Sequence, residues 1–142
     1  MQGGNEQLVL LSTRCPNTGL YTITLPFAQL RAREDSGLAA ERALIDAGIK
    51  SGNLVRNGSG VSLHPGSLNA RILVESMTIE RLDGINCAAQ QNVAVVMAPV
   101  RSLRASLMNL SSEGRVVDEN LFFFAAGMEA ASGNMLQAAI QM

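Results

Sequence analysis

The sequence predicts an α+β fold: an N-terminal β-hairpin and antiparallel sheet followed by two C-terminal helices. Three observations carry this. Residues 7–12 (QLVLLS) and 20–25 (LYTITL) are runs of strand length separated by CPNTG, whose Pro16, Asn17 and Gly19 are turn formers. Residues 69–82 hold the longest alternating stretch. Residues 118–142 then change period, with Leu121, Phe124, Ala125 and Met128 at i, i+3, i+4 and i+7.

Taken in order, the second run of the hairpin sets Leu20, Thr22 and Thr24 against Tyr21, Ile23 and Leu25. Residues 26–51 form a helix-like insert. Ser36 is placed to cap a helix carrying Leu38, Ala39, Arg42 and Ile45 along one side, and Gly48 ends it. Residues 54–56 and 60–63 flank NGSG, which predicts two short strands or one interrupted strand. HPGS at 64–67 is the next turn. In residues 69–82, Ile72, Val74, Ser76, Thr78 and Glu80 alternate with Arg71, Leu73, Glu75, Met77, Ile79 and Arg81. Residues 83–92 read as a loop opened by an Asp83-Gly84 turn, and 93–97 (VAVVM) as a buried strand. Residues 99–112 satisfy both periods, the helical one slightly better.

Asp118 stands where a helix N-cap belongs, with Phe122, Phe123 and Ala126 widening the apolar face behind it. Ser132-Gly133-Asn134 reads as a stop and restart, after which Met135, Leu136, Ala139 and Ile140 form a second apolar face. Helices this apolar need a large surface to cover. They are either the interface-forming end of a homo-oligomer or the core helix of a monomer. The unbroken apolar run 121–128 is far shorter than the roughly 20 residues a bilayer span needs.

The 142 residues, 1–142, are read as a single domain. Charged residues are 16% of the chain against a usual share of roughly 25%, which points to surface covered by other subunits. A net charge of −1 excludes a global basic field for nucleic acid. Every basic residue except Lys50 is arginine, a residue suited to phosphate. The N-terminal MQGGNEQ lacks the features of a signal peptide, and Cys15 and Cys87 are too few for a disulfide framework, so an intracellular protein is expected.

No catalytic constellation emerges. His64, the only histidine, has no spaced metal-ligand partner, and Glu34-Asp35 is better placed to complement a helix dipole than to act as an acid pair. No G-x-S-x-G or nucleotide-binding glycine loop is present. The expectation is therefore no enzyme, no metal and no cofactor.

The order of pieces resembles the coat proteins of single-stranded RNA bacteriophages. QLVLLSTRCPNTGLYTITL is similar to that family's opening hairpin, NARILVESMTIER to its central strand, and APVRSLRASLMNL to its last long strand. DENLFFFAAGMEAASGNMLQAAI resembles its helix–GN–helix ending, at Asp118, Leu121, Ala125, Gly133, Asn134, Ala139 and Ile140. The insert 26–51 departs from the family, and the family's stacking aromatic is missing from the matching strands.

The resemblance implies an intertwined homodimer that closes into a shell around single-stranded RNA, a virion assembled in the bacterial cytoplasm. Leu121, Phe122, Phe123, Phe124, Met128, Leu136 and Ile140 would form the dimer interface. Asn69 and Arg71 would contact RNA, and Cys87 would sit in the loop between dimers, where some relatives cross-link by disulfides. Glu75, on the same strand, would repel phosphate. The rival readings are a dimeric secretion-type chaperone or adaptor, and a small enzyme using Glu34, Asp35 or His64.

Overall fold

A computed structural model of the chain describes residues 6–63, 71–87 and 90–141, with side chains for all of these except 59, 61–63, 71–72 and 132–141. It is a mixed α and β structure with strands first and helices towards the C-terminus. The strands are β1 (Gln7–Arg14), β2 (Tyr21–Thr24), β3 (Ile49–Leu63), β4 (Arg71–Ile85), β5 (Val93–Pro99) and β6 (Val116–Val117). The helices are α1 (Ser36–Asp46), α2 (Leu103–Ser112) and α3 (Glu119–Gln141). Contacts divide the chain into two compact units, Met1–Leu25 with Asn92–Met142, and Pro26–Gln91.

The first unit is a four-stranded sheet in the order β5-β1-β2-β6 with α2 and α3. The expected hairpin forms: β1 and β2 pair antiparallel, Leu11 opposite Thr24 and Arg14 opposite Tyr21. The loop closes through Gly19 N–H donating to the Cys15 carbonyl at 2.7 Å, with Gly19 at φ 74°, where a side chain would be strained. β5 pairs antiparallel with the other edge of β1, and β6 runs parallel to β2. Leu10, Ile23 and Ala98 from one sheet face pack with Leu103 and Leu107 of α2 and Leu121 and Ala125 of α3. Leu10, Ile23, Leu107 and Leu121 are fully buried, and each contributes about 1.5–3 kcal/mol.

Residues 103–112 are helical, so the strand implied there by the resemblance does not form. Leu103 and Leu107, one turn apart, both reach the core, whereas strand spacing would have divided the sheet-facing side chains differently. α3 is likewise one helix, not two. Its backbone continues through Ser132-Gly133-Asn134, since one interior Gly costs only about 1 kcal/mol of helix propensity and Asn less. Asp118 caps it as expected, its carboxylate accepting from the Asn120 amide at 3.2 Å.

The second unit pairs β3 with β4 over their whole length as an antiparallel ribbon, with α1 against it. At NGSG the alternative of one interrupted strand is what forms, and the expected Asp83-Gly84 turn is a bulge instead. Asn57 of NGSG is the extra residue between Arg56 and Gly58, and Asp83 is the extra residue opposite Lys50 and Ser51. Asn57 Nδ2 donates to Thr78 Oγ1 at 2.6 Å, and Arg81 Nε donates to Asp83 Oδ1 at 2.8 Å. The connection 64–70, with the expected HPGS turn, lies outside the described residues. α1 lies inside the insert 26–51 and ends at Gly48, φ 91°, whose N–H donates to the Ile45 carbonyl. Its N-cap is Asp35, one residue earlier than expected.

Candidate assembly interface

The residues assigned to an interface fall into three groups. Leu121 is fully buried in the chain's own core, with Phe122 and Met128 packed against that core. Phe123 and Phe124 are 70% and 44% exposed, so among the described side chains of α3 these two rings are its exposed large apolar surface. Leu136 and Ile140 lie in the last turns of α3, where side chains are outside the description. The face expected as Leu121, Phe124, Ala125 and Met128 is thus rotated. Phe122 takes the inner place and Phe124 the outer.

The sheet itself offers more. Strand alternation sends Leu8, Leu10, Val96 and Ala98 to the helix-covered face, leaving Val9, Leu11, Val93, Val95 and Met97 on the other with Thr13, Thr22 and Thr24. That second face is apolar with hydroxyls and carries no charged residue of β1, β2 or β5; Leu11 is buried on it, Val9, Val93 and Val95 are half-buried, and Met97 is exposed. β5, expected as a buried strand, is instead an edge strand of seven residues, VAVVMAP, in which no residue of 93–97 is buried, with no charge and no proline before its last position. Exposed edges of this kind pair with further strands unless blocked.

Of the RNA-contact candidates, Asn69 lies outside the described residues. Arg71 is placed as the first residue of β4, with its side chain outside the description. Glu75, expected to repel phosphate, is instead satisfied within the unit. Its side chain is 3% exposed and accepts from Arg56 Nη2 at 2.7 Å, Arg56 Nε at 3.1 Å and Ser36 Oγ at 2.8 Å. Arg56 Nη1 also donates to Asp35 at 3.0 Å, tying the α1 N-cap to both strands of the ribbon. Gly37 makes this possible, because a Cβ there would strike the Arg56 guanidinium. Sequence reading missed this knot: Asp35, Arg56 and Glu75 meet only once the ribbon has formed.

The acidic pair is also engaged locally. Glu34 accepts from Arg42 at 2.7 and 3.2 Å and from the Arg31 amide at 2.9 Å; these hydrogen bonds, Arg42 first, hold its carboxyl below the usual range. The second unit has a half-open cleft of about 420 Å³ lined by Glu41, Leu44, Ile49, Lys50 and Asp83 among others, and neither Glu34 nor Asp35 reaches it. His64 lies outside the described residues. Among the described residues no group of His, Cys, Asp and Glu is arranged to hold a metal ion. No helix among them is long and apolar enough to cross a membrane.

Cys87 lies two residues beyond the end of β4 and is exposed with a free thiol; the loop expected from 83 begins only after Ile85. No protein-family model matches the chain, and no curated protein matches it.

Proposed function

We propose that the chain is a structural coat protein that dimerises and self-assembles into a shell around single-stranded RNA, like the RNA bacteriophage proteins it resembles. The observation that carries this reading is the apolar surface of the first unit: an uncharged β5 edge with Met97 exposed beside it, and the exposed Phe123 and Phe124. A monomer would keep these in water at a cost of about 25 cal/mol for each Å². A second copy removes the cost. In this reading β5 pairs edge to edge across a two-fold axis, while Phe123 and Phe124 of each copy cover the other's sheet and intertwine the dimer. Dimers then associate through loops that include Cys87, assembling in the bacterial cytoplasm.

Negative-stain electron microscopy of the purified protein, with the 260/280 nm absorbance ratio of the same fraction, tests the proposal. Uniform particles carrying RNA are the expected result. A nucleic-acid-free species that stops at the dimer overturns it in favour of a chaperone or adaptor.

A further inference from the structure

One end of the four-stranded sheet collects an aromatic ring and two cations from three separate segments. Arg14, the last residue of β1, lies directly opposite Tyr21, the first of β2. On the other side of β2, β6 pairs through Val116 with Thr22 and brings in the preceding Arg115. The Arg115 guanidinium carbon stands 5.5 Å from the centre of the Tyr21 ring. Tyr21 nevertheless remains 42% exposed. The charges around it do not balance. Among the described residues Arg14 has no ion pair, and the carboxylate nearest Arg115 is Glu113, 3.9 Å away with an exposed side chain.

A cation over an exposed ring is a stabilising contact of modest size without any ligand. It does not account for a second arginine without an ion pair, Arg14, placed directly opposite Tyr21 on the strand at the other side of β2. We propose that Arg14, Tyr21 and Arg115 form a contact site for single-stranded RNA, a base stacking on Tyr21 and the flanking phosphates meeting the two arginines. Aromatic platforms beside cationic side chains bind single strands without needing a particular base. The second sheet face offers RNA no cation, whereas this end offers two. The site rests on the reading that the chain packages RNA and names where that contact is made.

Tyr21 is the only tyrosine and the chain has no tryptophan, so tyrosine emission reports this site alone. The full chain, freed of nucleic acid, is titrated with a uridine decamer. Anisotropy of a fluorescein-labelled copy reports binding, and Tyr21 emission with the unlabelled copy, corrected for absorbance, reports stacking. Binding should quench Tyr21. Tyr21→Ala should weaken it about tenfold while Tyr21→Phe retains it, and Arg14→Gln or Arg115→Gln should each lower the salt slope by about 0.7. Binding that leaves Tyr21 emission unchanged and tolerates Tyr21→Ala overturns the site but leaves RNA packaging standing. No binding at low salt by the unaltered chain overturns both. Quenching by a glutamate decamer as strong as by RNA overturns the site as one for RNA and makes it a docking point for acidic protein.

Discussion

The Cys15 thiol is held by its own turn. The Thr18 side chain and then the Thr18 and Asn17 backbones hydrogen-bond to it and bring its pKa below the ordinary thiol value of 9.0. In a Cys87→Ser variant, alkylation by iodoacetamide should therefore reach half its maximal rate below pH 9, and Thr18→Val should move that midpoint upward. A midpoint that Thr18→Val leaves unmoved contradicts this assignment. Other single-residue roles were legible because they are local. Asp118 precedes a helical run and caps it, and Gly48 ends α1 as a residue tolerant of positive φ should. Ser36 and Asp35 are both good caps, and sequence favoured the wrong one. The choice is made by Glu75, 39 residues away, which accepts the Ser36 hydroxyl and leaves the cap to Asp35.

At the scale of elements, α1 is joined to the β3–β4 ribbon by the Asp35–Arg56–Glu75–Ser36 knot. Arg56 is half exposed, whereas Glu75 is buried, so the two ends of the pair are unequal. Glu75→Gln keeps the shape and should destabilise by about 1–2 kcal/mol, read as a lower urea midpoint at constant slope. Arg56→Ala strands a buried carboxylate on the Ser36 hydroxyl and should cost more. If Glu75→Gln proves the more damaging, the knot is not what holds α1. The Glu34–Arg42 pair beside it gives a pH dependence. Glu34 has a folded pKa depressed below 4.5, so its contribution is complete above that value. It is lost as pH falls through the depressed folded value. Glu34→Gln should flatten the acid limb of a stability–pH curve, and an unchanged limb rules the pair out as its source.

At the scale of the molecule, Phe123 and Phe124 stay exposed in the single chain. Phe123→Ser with Phe124→Ser alters no core position, so circular dichroism should be unchanged. Light scattering after gel filtration should show the proposed dimer dissociating at concentrations higher by roughly tenfold or more. A dimer of unaltered strength removes α3 from the interface. The sequence by itself determined the hairpin, the strand at VAVVM, the α1 stop and the helical end, because each rests on neighbours within a few residues. It also carried the helical period of 103–112, which holds where the family resemblance implied a strand. Tertiary structure alone decided the rest. NGSG and Asp83-Gly84 became bulges because the long ribbon pairing absorbs one extra residue more readily than it reverses. Phe122 and Phe124 exchanged places because the rotation of α3 is set by where Leu10, Ile23 and Leu107 leave room for Leu121 and Ala125. Arg14, Tyr21 and Arg115 became neighbours through the parallel pairing of a two-residue strand, which has no local sequence signal.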